Sequence, residues 1–183
     1  MSKDPVLVVI DVQLGFKDPR WGANGNQAAL ENIKLLVEHW RSKKLPIVLV
    51  KHNSKHPDSP LFAGNAGNEL EPFLDGPRDV LIQKSVNSAF YGTPDLHLWL
   101  SKRNFRNLVI CGITTNRCCE TTARMAGNLG YNTTFVIDAT DAFDLAHADG
   151  SITKAAEVIR MTAANLDGEF AIVQTTQGAI ASN

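Results

Sequence analysis

Three side chains of chemically active type, a carboxylate, an amine and a thiol, each lie just after a short apolar segment. They are Asp11, Lys84 and Cys118. A cysteine sulfur can attack a carbonyl carbon, a carboxylate can accept the thiol proton, and an ammonium group can balance the charge of the site. If the fold brings them together, these residue types predict a cysteine nucleophile with a neighbouring acid and amine.

Each of the three residues also has a structural interpretation. Asp11 could bind loop amides or cap a turn, Lys84 could be a surface lysine at a strand end, and Cys118 could be a small buried side chain. Pairing favours the chemical interpretation of the first two, because a strand-end aspartate and lysine can neutralise each other where an isolated buried charge would be costly.

Cys118 is the best placed of three closely spaced cysteines. Cys111 lies inside a predicted strand, and Cys119 points about 100° away from Cys118 on the same predicted helix, so both are expected in the core. Cys118 falls in the first turn of that helix, where the dipole and free amides should lower the pKa of its thiol. Such close neighbours make poor disulfide partners, which favours a reducing, cytoplasmic location.

The segment 112–118 also offers groups that could bind an oxyanion. A turn that enters a helix can aim backbone N–H groups at a developing negative charge, and those of Thr114 and Cys118 are the candidates. Thr115 or Asn116 could instead cap the helix. Aromatic side chains near the strand ends, including Phe143, could wall a pocket or simply pack in the core. The candidates for substrate binding are Phe16, Asn53, Ser88, Phe90, Tyr91 and Thr115.

Strand and helix patterns alternate along the chain and would place these residues at one edge of a sheet. Apolar runs predict strands at 6–10, 47–50, 79–82, 108–111, 134–137 and 170–173. Helices are predicted at about 27–42, after Thr93-Pro94 with Thr93 as the N-cap, at about 117–129, and to about 164 with Ser151 as the N-cap. A long ordered loop is predicted over 52–78. The alternation indicates an α/β fold with a mostly parallel sheet covered on both faces, and parallel sheets bind ligands beyond the carboxyl ends of their strands.

Length and charge narrow the functional classes. The 183 residues suit one domain spanning 1–183. The net charge is −1, and the sequence has no basic stripe of the kind that nucleic-acid binding needs. The apolar runs are far too short to cross a bilayer. We therefore expect a small-molecule substrate and neither a nucleic-acid nor a membrane partner.

Three segments resemble the isochorismatase-like cysteine hydrolases. Residues 111–131 (CGITTNRCCETTARMAGNLGY) resemble the nucleophile segment of that family, residues 8–13 (VVIDVQ) its opening strand, and residues 84–93 (KSVNSAFYGT) its lysine segment. Asp138-Ala139 is similar to the pair that follows its fifth strand. The likeness extends from about residue 5 to residue 173, and residues 59–70 are similar to the streptothricin-hydrolase-like branch.

The resemblance implies a doubly wound three-layer sandwich with six strands in the order 3-2-1-4-5-6. It also implies a catalytic triad of Asp11, Lys84 and Cys118, a cis peptide between Ile113 and Thr114, and assembly into homodimers or larger homo-oligomers. Nicotinamidase relatives carry a metal site with an Asp-x-His after the second strand, whereas this chain has Lys51-His52-Asn53-Ser54 there. We therefore expect neither a metal nor a cofactor.

The sequence leaves three functional interpretations open. Cys118 favours hydrolysis of an amide or lactam C–N bond through a thioester, because isochorismatases, which cleave a vinyl ether, need no cysteine nucleophile. A vinyl-ether or other non-amide hydrolase is the second interpretation. The third is a binding or redox-sensing module that uses Cys118 without turnover.

Overall fold

The apolar segments form a parallel sheet in the computed structural model, which describes residues 2–183. Six strands pair in the order β3-β2-β1-β4-β5-β8, and every pairing is parallel. The predicted order is confirmed, since β8 is the sixth strand of this sheet along the chain. The strands are β1 Ser2–Ile10, β2 Ile47–His52, β3 Val80–Lys84, β4 Phe105–Ile113, β5 Asn132–Asp141, β6 Leu145–Ala146, β7 Ile152–Thr153 and β8 Ile172–Gln174.

Helices cover both faces of the sheet and complete the predicted three-layer α/β sandwich. Side chains of α2, α3 and α4 pack on the face that includes Val8, and those of α1 and α5 pack on the face that includes Val9. Burial from both sides explains why β1 is apolar without alternation. The helices are α1 Ala29–Lys43, α2 Leu96–Lys102, α3 Glu120–Asn128, α4 Ala155–Leu166 and α5 Thr176–Ala181.

Several predicted boundaries were wrong for local reasons. The N-cap of α2 is Asp95, whose carboxylate accepts a 2.7 Å hydrogen bond from the Leu98 amide, and not Thr93. Ser151 does not cap α4, because β6 and β7 form an unpredicted antiparallel hairpin there and α4 begins after Lys154. Helix α5 was also not predicted; the Thr175 hydroxyl caps it by accepting a hydrogen bond from the Gly178 amide.

The long loop after β2 is ordered by two buried side-chain amides. Gln13 donates to the carbonyls of His52 (3.0 Å) and Asn68 (2.8 Å) and accepts from the His52 amide (2.9 Å). Asn68 in turn donates to the Leu61 carbonyl at 2.8 Å. These bonds satisfy buried backbone groups that lack strand partners, so they fix the loop against the carboxyl end of the sheet.

Candidate active site

The acid, the amine and the thiol predicted from the sequence meet at the carboxyl edge of the sheet. Asp11 follows β1, Lys84 ends β3 and Cys118 follows β4. The Lys84 ammonium donates to Asp11 Oδ2 at 2.5 Å and to Cys118 Sγ at 3.3 Å. The side chains of Asp11 and Lys84 are both 0% exposed, so the two charges compensate each other without help from solvent.

His52 is a fourth member of this group, and the sequence pattern did not predict it as a site residue. It ends β2, pairs in register with Lys84, and its Nδ1 lies 3.2 Å from Lys84 Nζ. Burial lowers the pKa of His52, and the nearby Lys84 charge lowers it further. The neutral imidazole therefore accepts a hydrogen bond from the ammonium. We refer to Asp11, His52, Lys84 and Cys118 as the charge cluster.

The charge cluster does not fit a metal ion. Among the described residues, Asp11, His52 and Cys118 are the one group of metal-binding types whose donor atoms converge, within 4.8 Å of one another. The Lys84 ammonium already contacts a donor atom of each. Burial favours the neutral amine, but Asp11 and Cys118 together outweigh it and raise the pKa of Lys84. The amine is therefore protonated, and it would repel a dication beside it.

The backbone around the site has unusual conformations. Asp11 adopts a left-handed conformation with φ 52°, which aspartate tolerates better than most residues. Gly112 has φ 132°, and a side chain there would collide with the backbone of Ile10 on the neighbouring strand, so only glycine fits. The peptide between Ile113 and Thr114 is cis, as the family resemblance implied.

Cys118 lies in a π-helical turn, Thr115–Cys119, and not in the first turn of an α-helix as predicted. The expected lowering of the thiol pKa was also wrong. Burial raises the pKa of Cys118 to about 12, and the Asp11 charge adds to this effect while Lys84 opposes it. Cys118 is therefore a thiol at rest, and a nearby base must remove its proton before it can attack.

Cys111 and Cys119 lie in the core, as the sequence predicted. Both are fully buried free cysteines, and burial raises the pKa of each thiol.

A small cavity of about 100 Å³ lies beside Cys118, which lines it. Two of the residues that line it, Asp11 and Thr114, each have a buried polar atom, Oδ1 and Oγ1, with no hydrogen-bond partner among the described residues. Buried polar atoms are rarely left unpaired, so these two are available to a ligand or a water. The cavity is lined by Asp11, Phe16, Trp21, His52, Leu61, Asn87, Thr114, Arg117 and Cys118.

Of the six predicted substrate-binding residues, Phe16 alone lines this cavity. Asn53 donates to Gln83 instead, and Tyr91 is 71% exposed.

The other three predicted side chains are used in packing. Phe90 is buried and stacks on Tyr131, with 5.8 Å between ring centroids. Ser88 contacts Met125 through its hydroxyl, and the fully buried Thr115 donates to Thr140 at 2.9 Å.

Besides His52, four of the cavity residues were not predicted from the sequence. Trp21 and Leu61 come from the loops after β1 and β2, where no periodic pattern indicates a direction. Asn87 lies three residues after Lys84, and its side-chain oxygen accepts a long 3.8 Å hydrogen bond from Cys118 Sγ. Arg117 directly precedes the thiol, and that position alone could have indicated it.

None of the helices in residues 2–183 is both long and apolar enough to cross a membrane.

Comparisons with known proteins agree on one family. A family model described as isochorismatase domain matches residues 5–176. The isochorismatase family protein YrdC of Bacillus subtilis is 37% identical over 178 residues, which cover 96% of this chain and 94% of YrdC. Nicotinamidase 3 of Arabidopsis thaliana is 30% identical over 158 residues, covering 78% of this chain and 76% of that protein.

A solved structure supports the same assignment. It is a crystal structure from Chromobacterium violaceum ATCC 12472, ascribed to the isochorismatase family, and it superposes with a TM-score of 0.93 at 35% identity. The superposition covers 99% of this chain and 94% of that chain.

Proposed function

This chain belongs to the isochorismatase family of hydrolases, and on that premise we propose that it hydrolyses a C–N bond of a small amide or lactam through a thioester on Cys118. The observation that carries the proposal is the free oxygen of a buried carboxylate beside a buried thiol. Asp11 Oδ1 has no partner among the described residues, and the donor atoms of Asp11 and Cys118 lie within 4.8 Å.

In the first half of the reaction, Asp11 removes the proton from Cys118 and the sulfur attacks the carbonyl carbon. The S–C bond forms and the carbonyl oxygen becomes an oxyanion, which the backbone N–H groups of Thr114 and Cys118 stabilise. The C–N bond then breaks, and protonated Asp11 gives its proton to the leaving nitrogen.

In the second half, water attacks the thioester. Asp11 takes one proton of this water, the C–S bond breaks, and the acid product leaves. The proton passes from Asp11 to Cys118 Sγ, which restores the starting state with no net change in the protein.

Lys84 stabilises the thiolate without giving up its proton. Its ammonium is 3.3 Å from Cys118 Sγ, and its raised pKa keeps it charged throughout. A positive charge at this distance in a buried site favours the anion that forms as the proton leaves sulfur.

Amide chemistry is favoured by two features. The protein has a cysteine in the turn that follows β4, with a base beside it, which attack on a carbonyl needs. A relative with 30% identity over most of the chain is named a nicotinamidase, and nicotinamide is a carboxamide.

Mass spectrometry of the intact protein tests the covalent step. After mixing with a panel of carboxamides, lactams and ureides and rapid acid quenching, we expect an acyl adduct on the peptide that contains Cys118. Cys118→Ala should form no adduct and release no amine. Cys119→Ala is the matched control, since it removes the adjacent thiol and leaves the cavity wall intact.

Retained amine release by Cys118→Ala, with a fold unchanged by circular dichroism, would reject the nucleophile. Retained turnover of a vinyl ether by the same variant would support the non-amide hydrolase. Sulfenylation of Cys118 without turnover of any substrate would support the redox-sensing module.

A further inference from the structure

A second cavity of about 140 Å³ adjoins the cavity beside Cys118. Trp21, Thr114 and Arg117 line both, so they form the boundary between two lobes of one cleft. We call the part that contains Cys118 the inner lobe and the part that contains Asn116 the outer lobe. Each lobe is smaller than the pockets of about 300–1,000 Å³ that hold drug-sized ligands, which indicates a substrate of few atoms.

Arg117 is the one charged side chain in the wall of this cleft whose charge is not compensated. Its guanidinium group is exposed and makes no hydrogen bond or ion pair with any described residue.

The other charges in the wall are paired. Asp11 is bound to Lys84, Arg20 is bound to Asp18 at 3.0 Å, and Asp144 is bound to Lys154 at 2.7 Å. The cleft therefore has an excess of one positive charge, located at the boundary between its lobes.

From this arrangement we infer that Arg117 selects substrates that carry a carboxylate a short distance from the scissile amide. The inference rests on the proposed function, since the inner lobe must hold the reacting carbonyl for the outer end of the substrate to reach Arg117. A guanidinium group binds a carboxylate with two parallel N–H donors, which fixes orientation as well as charge.

The position of Arg117 in the chain supports this role. It directly precedes Cys118 in the same π-helical turn and lines the same cavity, so a carboxylate bound to Arg117 would lie close to the sulfur. Asn116 lines the outer lobe beside it and adds an uncharged donor. Binding energy from a group remote from the reaction then positions the carbonyl at the sulfur.

A pair of alkylating reagents measures this selection without any turnover. Iodoacetate and iodoacetamide react with a thiolate in the same way, but only iodoacetate carries a carboxylate. We define the selectivity as the rate constant for Cys118 with iodoacetate divided by that with iodoacetamide, each followed by mass spectrometry of the Cys118 peptide. Because the ratio cancels the reactivity of the thiol, it reports recognition of the anion.

Three variants separate local recognition from overall charge. Arg117→Gln should lower the selectivity about tenfold, which corresponds to about 1.4 kcal/mol. Arg117→Lys should lose less selectivity than Arg117→Gln, because it keeps the charge. It should still lose some, because a lysine cannot form the two parallel bonds. Arg160→Gln removes one exposed positive charge on α4, outside both lobes, and should leave the ratio unchanged.

An equal selectivity in the wild type and Arg117→Gln would overturn the inference, and so would an equal loss in Arg160→Gln. If neither reagent alkylated Cys118, its thiol would not be reactive. The proposed function would then fail together with the inference that rests on it.

Substrates provide a second readout. Succinamate and succinamide have the same carboxamide and nearly the same length, and only succinamate is an anion. We expect kcat/KM for ammonia release to favour succinamate in the wild type and Arg160→Gln, and this preference to fall about tenfold in Arg117→Gln. Equal turnover of both amides by the wild type would contradict the inference while upholding the proposed function.

Discussion

Two buried carboxylates lie at the same edge of the sheet, Asp11 after β1 and Asp141 at the end of β5, and their oxygens are satisfied differently. Asp141 Oδ1 accepts three backbone hydrogen bonds, from Gly25 (3.1 Å), Asn26 (2.9 Å) and Ala142 (2.9 Å). Asp11 binds the Lys84 ammonium through Oδ2 and leaves Oδ1 without a partner among the described residues. We refer to Gly25, Asn26, Asp141 and Ala142 as the backbone clamp.

The difference separates a structural acid from a chemical one. Asp141 binds loop amides, which is the structural role that the sequence also allowed for Asp11. Burial raises the pKa of Asp141, although its backbone hydrogen bonds oppose the shift. A proton at the oxygen that accepts these bonds would weaken the contacts that hold the loop in place. A carboxylate with one ammonium partner and one free oxygen can accept a proton without breaking any bond that holds the fold.

The largest effect is expected in the charge cluster, from Asp11→Asn. Asparagine tolerates the left-handed backbone at this position and has the same shape, but it cannot act as a base. We expect kcat/KM to fall by about 10²–10⁴-fold. The free energy of unfolding should also fall, by about 3–5 kcal/mol, because the buried Lys84 ammonium loses its counter-charge. Amine-release kinetics and urea unfolding measure the two effects.

Adding Lys84→Met to this variant separates stability from chemistry. The double variant has no buried charge left to compensate, so it should regain much of the lost stability and none of the activity. Recovery of activity in the double variant would show that Asp11 serves only as a counter-ion.

In the backbone clamp, Asp141→Ala should lower stability without lowering turnover. It leaves three backbone N–H groups without their acceptor, and we expect the free energy of unfolding to fall by about 1–3 kcal/mol. Turnover per folded molecule should change little. Asp141→Asn is the control, since its amide oxygen can accept the same bonds. A large loss of turnover in a folded Asp141→Asn protein would mean that this carboxylate also takes part in the chemistry.

Thr114→Val tests the other unpaired buried atom of the cavity. The substitution keeps the shape and removes a hydroxyl that has no partner among the described residues. We expect the protein to become more stable by about 1 kcal/mol, since an unsatisfied buried group is lost. The value of kcat/KM should fall about tenfold if the hydroxyl binds substrate. Thr114→Ser, which keeps the hydroxyl, should retain activity, and equal losses in both variants would point to packing instead.

The charge cluster could be predicted from the sequence because strand ends are easy to locate. Asp11 and Lys84 each follow a β-branched run, and the carboxyl ends of parallel strands share one edge, so convergence follows from the fold class. The order of the sheet came from the family resemblance and agrees with the structure. His52 obeys the same rule at the end of β2, but its segment was compared only with a metal-binding pattern.

The pocket walls could not be predicted, because they come from irregular segments. In the short turn at residues 89–91, Phe90 faces the core and Tyr91 faces solvent, and no periodic pattern indicates which is which. The thiol pKa was wrong for a different reason. The position of Cys118 in the chain indicates a helix start. Its burial, which raises the pKa, comes from the fold around it, where Trp21, Leu61 and Asn87 from irregular segments line the same cavity.

The smallest effect is expected from His52 and depends on pH. The folded protein holds the pKa of His52 below its ordinary value of 6.5, because the ring is partly buried and faces the Lys84 ammonium, although the Asp11 charge opposes this. As pH falls below 6.5, the unfolded chain takes up a proton at this position before the folded protein does, so stability decreases. Above pH 6.5 the imidazole is neutral in both states and contributes no pH dependence.

His52→Asn should remove this part of the acid destabilisation. Between neutral pH and the pKa of His52 in the folded protein, the difference in unfolding free energy between wild type and variant should change by less than about 1 kcal/mol. The change is small because solvent screens a partly exposed ring. His56→Asn, at an exposed histidine in the loop after β2, is the matched control and should keep the wild-type dependence. An unchanged dependence in His52→Asn would show that His52 takes up its proton equally in both states. The ammonium would then not control the imidazole, and the charge cluster would contain three coupled groups, not four.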